Sequence, residues 1–259
     1  MKPLILAVLL ALFHQAAVAD EVQKPVPAAP SIPSAVRDTE AEEFHDPFAK
    51  PESEARPKAK ISDPLEGMNR AFFKFNDKLY FWVLKPVAKG YNKVAPQEFR
   101  ASIQRFFVNA RYPVRLVNNL LQGKFKAAGI ETTRFLINST VGIGGLFDPA
   151  RDEWNFVPRP QDLDLTLGFY RLPTGIYFDW PLFGPSSVRG TVGLFGDGML
   201  VPWTYVDGAF VFYGTRLFDT VNATSLQLGE YESLKQASFD PYVALRDAYF
   251  ENRASLINR

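Results

Sequence analysis

Beyond Ile61 the chain contains neither histidine nor cysteine. That absence removes Ser-His-Asp and Cys-His nucleophile systems, histidine general bases and His- or Cys-ligated zinc. The chemistry left is based mostly on carboxylate or lysine, and no metal or cofactor ligand set emerges. Asp162 and Asp164 in "QDLDL" stand two apart, so they diverge on a helix and share a face only on a strand. With Asp148 they are the candidates for a periplasmic carboxylate-dependent enzyme such as a glycan hydrolase. "GPSSVRG" sets Ser186, Ser187 and Arg189 at an expected helix start, where free N–H groups favour anions. A serine there is either a simple cap or, with Arg189, part of an anionic head-group site. Lys85, Lys89 and Lys93 are four apart and form one basic stripe, facing water, lipid phosphate or an acidic protein surface. "GIGGLF" and "GLFGDG" lack the spacing and the Lys-Ser/Thr of a phosphate-cradling loop.

Those side chains need a scaffold, and the first sixty residues do not supply it. Residues 1–19 combine Lys2, the apolar run "PLILAVLLALF" and a small-x-small site, "AVA", ahead of Asp20. This is the pattern of a secretory signal peptide, and its apolar part is too short to span a bilayer. Residues 20–60 are rich in Pro, Ala and charge and poor in bulky apolar groups, so they read as a flexible tether. An exported chain with no cysteine has no disulfide framework and no lipid-modified cysteine, so acyl anchoring is not expected. The folded part is expected over 61–259.

Strand patterning is weak there and the predicted class is mostly α. Helices are expected over Asp63–Trp82, Pro86–Val94, Pro96–Ala110, the "VRLVNNLLQG" stretch, Lys124–Thr140, Ala209–Leu226 and Tyr242–Leu256, with another started by Ser186 or Ser187. Asp63, Pro64 and Glu66 make a D-P-x-E variant of the capping box. Leu165 to Leu182 is mixed, with room for a short strand. Gly142, Gly144 and Gly145 lie between a helix and Asp148-Pro149 and serve either as a tight turn or as a hinge for a helical hairpin.

The first helix is the greasiest in face and the most instructive. At roughly 100° per residue, Leu65, Met68, Phe72, Phe75, Leu79, Trp82 and Val83 fall in one arc, opposite Glu66, Arg70, Lys74, Asp77 and Lys78. Phe73 and Tyr80 extend the arc to about a half-turn, and Asn69 and Asn76, seven apart, stack inside it. Either both amides bond to backbone in neighbouring turns, or their face borders a wet or lipid-filled passage. A buried amide without partners costs about 1–3 kcal/mol. No stretch after residue 19 reaches the 18 or so apolar residues of a spanning helix, yet phenylalanine is abundant at 23 residues. Amphipathic aromatic helices of that kind suit a membrane interface. Charge is uneven: ten Lys/Arg against two acids from Leu84 to Arg134, and six acids against two bases from Asp219 to Glu251. These segments either face each other or water, or present phosphate-binding surface. In an exported chain, nucleic acid is not the expected partner.

"DPLEGMNRAFFKFNDKLYFWVLKPVAKGYNKVAP", "VNNLLQGKFKAAGIETTRFLINSTVGIGGLFDPA", "LFGPSSVRG" and "DPYVALRDAYFENRASLIN" together resemble the MlaA (VacJ) family of outer-membrane phospholipid-transport proteins. The similarity runs in order over nearly all of Asp63 to Asn258. It implies a ring- or disc-shaped helical domain with amphipathic helices in the membrane interface and a central channel. It implies phospholipids as cargo, a trimeric porin and a periplasmic lipid-carrier protein as partners, and no covalent catalysis. Familiar members carry a cleavage-site cysteine, which this chain lacks. Met68, Asn69, Phe72, Phe75, Asn76 and Leu79 are then the candidate channel face, and Lys85, Lys89, Ser187 and Arg189 the candidate head-group ligands. Pulling a two-chain lipid into water exposes roughly thirty methylenes at about 0.8 kcal/mol each, a barrier of about 20 kcal/mol. An amphipathic passage lowers that barrier passively. A purely structural porin accessory is the remaining alternative.

Overall fold

The computed structural model describes residue 61 and residues 63–258; the signal peptide and tether expected over 1–60 lie outside the described residues. The architecture is mostly α. Helix α1 (Glu66–Leu79) continues through a π-helical turn, Tyr80–Leu84, into α2 (Lys85–Val94). The widened turn sits just ahead of Pro86, which has no N–H and whose ring crowds the preceding carbonyls; the Lys85 N–H bonds to Tyr80 O, five residues back. The chain is therefore helical from Glu66 to Val94 where a break before Pro86 was expected.

The start of α1 also departs from expectation. No side chain caps it, and Asp63 contributes only its carbonyl, to the Glu66 N–H at 3.3 Å. The Asp63 carboxylate instead accepts from Asn69 Nδ2 (2.9 Å) and from the Tyr242 hydroxyl, and faces Arg246. A carboxylate already engaged by the C-terminal helix has no free geometry for a capping box.

Helices α3 (Gln97–Ala110), α4 (Tyr112–Leu121) and α5 (Phe125–Thr140) come next, close to the expected bounds, then the short α6 (Pro149–Asp152), N-capped by Asp148. Asp162 caps α7 (Leu163–Phe169) by accepting from Leu165 N at 2.8 Å. A two-stranded antiparallel hairpin, β1 (Tyr177–Trp180) with β2 (Gly184–Ser187), pairs Tyr177 with Ser187 and Trp180 with Gly184. Ser187 caps α8 (Val188–Gly198). A 3-10 turn at Pro202–Tyr205 leads to α9 (Ala209–Leu226), α10 (Glu230–Ala237) and α11 (Pro241–Ile257). The sequence reading omits α10. Gly229 at its start, with φ 103°, has the character of a stop, and the helix is held by tertiary pairing to α1, Lys235 with Asp77 at 2.7 Å.

α1 packs on β1, α9 lies against α2 and α3, α4 against α5, and α7 against α8 and α11. A small apolar cluster, Phe107, Val114, Val201 and Trp203, joins α3, α4 and the 3-10 turn. The wider interior is unusual. Among the described residues, 23 buried side chains are polar or charged against 15 hydrophobic ones, while 30 large apolar side chains are exposed. Water-soluble folds bury charged groups rarely and only when paired, so this balance is inverted.

Candidate functional site

The inversion begins in α1. Asn69 is fully buried, but not against its own helix: it donates to Tyr177 O (3.1 Å) and Asp63 Oδ1 and accepts from Asp179 N (3.0 Å). One heptad on, Asn76 donates to Trp180 O (2.9 Å) and accepts from Leu182 N (2.7 Å). The two amides thus clamp α1 along both ends of β1. Both amides bond backbone, as one reading of the pair has it, but the backbone of β1 and Leu182 rather than that of neighbouring turns of α1. Met68, Phe75, Trp82 and Val83 lie on the other side of the stripe and are exposed, Trp82 by 76%. Phe72 and Leu79 are half-buried between the two sides.

Between the clamps, Asp179 is buried with one oxygen, Oδ2, unbonded, and its carboxyl is pushed up to about 7 by burial. The folded chain therefore holds a proton between pH 3.8 and about 7 that the unfolded chain has released. Stability from this group is full below the lower value and is lost as pH rises through the upper one. Asp179→Asn keeps an acceptor for Asn76 and removes the titration. It is expected to stabilise the protein by about 2–4 kcal/mol at pH 8 and hardly at all below pH 4, read by thermal melts across that range.

Three further helices turn polar faces inward. α8 buries Arg189, Gly193 and Asp197 at spacing four, and exposes Val188, Val192 and Phe195 along the opposite stripe, continued by Met199 at its C-cap. α5 buries Ala128, Glu131, Arg134 and Asn138, with Phe125 and Leu136 exposed. α4 buries Arg115, Asn118 and Asn119, with Leu120 and Leu121 exposed. Apart from Asp197, the buried charges of these three helices are paired with opposite charges, which offsets their removal from water. Arg115 bonds Glu131 at 2.7 Å, Arg134 bonds Asp148 at 3.0 Å and Arg189 bonds Asp164 at 2.6 Å.

These pairings relocate most of the sequence candidates. Ser187 caps α8, accepting from Gly190 N at 2.9 Å, so the capping alternative is the one realised. Arg189 is buried against Asp164 and Leu172 O, which removes it from a head-group role at the surface. Lys85 is paired with Glu232 at 2.6 Å, leaving Lys89 and Lys93 as the exposed members of the stripe. That pair and Arg111–Asp219 bring basic and acidic segments together. The glycines form the expected tight turn: Ile143, Gly144 and Gly145 all have positive φ. Asn109 of α3 bonds Ser139 at 3.0 Å and reaches Gly144 O. A Cβ at Gly145 would lie 2.5 Å from the Asn109 side chain, so only glycine fits.

The candidate acids of a hydrolase are all committed elsewhere. Asp148 caps α6 and holds Arg134, Asp162 caps α7 and pairs with Arg253, and Asp164 holds Arg189. Asp162 and Asp164 nevertheless line a cavity of about 340 Å³ bounded by α7, β2, α8 and α11, together with Asp197, Arg253, Tyr249 and Asn252. Its walls also include Phe183, Leu194, Leu245 and Ala248. Burial, with Asp162 nearby, pushes the Asp197 carboxyl up to about 7. The sequence reading does not single out Asp197, Arg253, Tyr249 or Asn252. Asp197, between two glycines in an apolar run, is the one that carried a signal.

A mostly α protein whose amphipathic helices are turned polar side in and apolar side out is built for contact with lipid rather than water alone. The family model described as MlaA lipoprotein matches residues 61–256, and the chain belongs to that family. The intermembrane phospholipid transport system lipoprotein MlaA of Haemophilus influenzae is 32% identical over 203 residues, 76% of this chain and 80% of the relative. Its namesake in Escherichia coli K12 is 31% identical over 205 residues, covering 76% and 79%. A solved structure reported as the structural basis for maintenance of bacterial outer membrane lipid asymmetry is 32% identical and superposes with a TM-score of 0.68, covering 76% of this chain and all of the other.

Proposed function

We propose that this protein is a passive phospholipid-binding and conducting component at the periplasmic side of the outer membrane. In this reading it takes phospholipids mislocalised to the outer leaflet and passes them to a periplasmic carrier, so that lipid asymmetry is maintained without covalent chemistry. The observation that carries it is the reversed burial of α4, α5 and α8. Leaving large apolar side chains in water forgoes about 1.5–3 kcal/mol each, and acyl chains recover it. No helix among the described residues is long and apolar enough to cross a membrane, so the apolar faces suit helices lying in one leaflet. Exposed Lys89 and Lys93 beside Val87 and Val94 fit the head-group boundary, where lysine stems lie along apolar surface and the ammonium reaches water or phosphate. The aromatic faces and a trimeric porin are the proposed retention devices. The Gly142–Gly145 turn, carrying a left-handed β-branched residue, is the proposed hinge.

The test separates surface from fold. Phe75→Asp and Val192→Asp sit at exposed positions and should change unfolding free energy by no more than about 0.5 kcal/mol. Co-flotation with phospholipid vesicles, and phospholipid recovered by mass spectrometry from the purified protein, should both fall several-fold. A wild-type protein that neither floats nor carries phospholipid would overturn the reading.

A further inference from the structure

We propose that the cavity between α7, β2, α8 and α11 is a head-group site for a zwitterion, seating a primary ammonium against Asp164 and Asp197 and a phosphodiester against Arg253. The inference rests on the phospholipid reading and specifies which lipids it favours. The first ground is charge. Asp162, Asp164 and Asp197 line the space, and Arg253 is the cation among the lining residues, with Arg189 packed behind Asp164. Asp162 and Asp164 have those guanidinium groups as partners. Asp197 has only neutral donors, Asn118 Nδ2 at 2.9 Å and the Leu163 N–H at 2.9 Å. Asp197 is therefore the one of the three lining carboxyls without an ion-pair partner.

The second ground is an unmet acceptor. Asp164 is 2% exposed, yet its Oδ2 makes no hydrogen bond; its nearest cation is Arg253 Nε, at 3.4 Å. A primary ammonium brings one positive charge and three donors, enough for both carboxylates and Ser186 on the cavity wall. A divalent metal is a poor fit, because no three acidic side chains among the described residues gather closely enough to hold one. A quaternary ammonium needs open aromatic faces, and Arg253 already lies over the Tyr249 ring at 5.8 Å. Arg253 keeps donors beyond those engaged by Asp162, which suits a phosphodiester oxygen. The volume of about 340 Å³ is of head-group scale, and Phe183, Leu194 and Leu245 can take the glycerol and first methylenes while the tails lie outside.

The test is a competition in detergent between short-chain phosphatidylethanolamine and phosphatidylglycerol on the full chain, read by native mass spectrometry. Wild type should prefer the ethanolamine lipid about tenfold, the range of one charge-assisted hydrogen bond. Asp197→Asn preserves the acceptor for Leu163 and should bring the ratio to near one. N-acetylating the ethanolamine removes the ligand's charge and should abolish the preference in wild type, with no dependence on the variant's folding. Glycerophosphoethanolamine distinguishes the source: weaker binding than the lipid assigns the site to a membrane head group, and equal binding assigns it to a soluble zwitterion. Equal binding of both lipids to wild type, or a preference unmoved by N-acetylation, overturns the head-group site and leaves the transport reading standing. Binding of neither lipid overturns both.

Discussion

Arg189→Leu is expected to lower the unfolding free energy by about 3–5 kcal/mol, the cost of leaving a buried carboxylate without its cation. Arg189 is 7% exposed, bonds Asp164 Oδ1 at 2.6 Å and donates to Leu172 O at 2.9 Å. Asp164 would be left with Arg253 alone, beyond good hydrogen-bond distance. Against a typical total of about 5–15 kcal/mol, the variant should be near unfolding at room temperature. The double variant Arg189→Leu, Asp164→Leu removes both charges and should recover much of the loss, because the stranded charge and not the absent attraction dominates. Denaturant titration of the four proteins closes the cycle. A single-variant loss under about 1 kcal/mol would mean that water reaches the pair.

The second large effect is expected at Asn69. Asn69→Leu fits the greasy stripe on a helical wheel and should look conservative. It strands the Asp179 N–H and the Tyr177 carbonyl, both buried, at about 1–3 kcal/mol each, so about 2–6 kcal/mol in all. Asn76→Leu should cost less, because Asn76 and its partner Trp180 are only partly buried. Phospholipid binding by these variants should fall only as far as the folded fraction falls. Phe75→Asp should do the reverse, losing lipid while keeping the fold. Equal behaviour of Asn69→Leu and Phe75→Asp in both assays would dissolve the distinction between the inner and outer sides of α1.

Local signals carried the helices well. Proline at the start of α2, α4 and α11, and the periodic apolar residues of α5 and α9, were readable because each acts within a turn or two of chain. What was not readable depended on distant partners. The asparagines of α1 stood out as misplaced amides, but their partners on β1 lie more than a hundred residues away. Asp63 had the composition of a cap and was drawn off by Tyr242 and Arg246. The cavity was hidden for the same reason: Asp162 and Asp164 were noticed as a pair, while Asp197 and Arg253 join them only when α8 and α11 close around α7. Head-group chemistry was expected at Arg189 and Lys85 because basic residues in sequence carry no sign of which acid will bury them.

The reversed interior also governs how stability varies with temperature. Exposing apolar surface raises the heat capacity of the unfolded chain and exposing polar surface lowers it, by about +0.45 and −0.26 cal/K/mol per Å². Unfolding this protein releases Asn69, Arg115, Glu131 and Asp197 from the inside, while Trp82 and Phe195 are already outside. The two contributions offset each other more than in an ordinary domain, where the net is about 12–15 cal/K/mol per residue. Its free energy of unfolding therefore traces a shallow arc rather than a steep dome, and chilling weakens it less than a fold held by the hydrophobic effect.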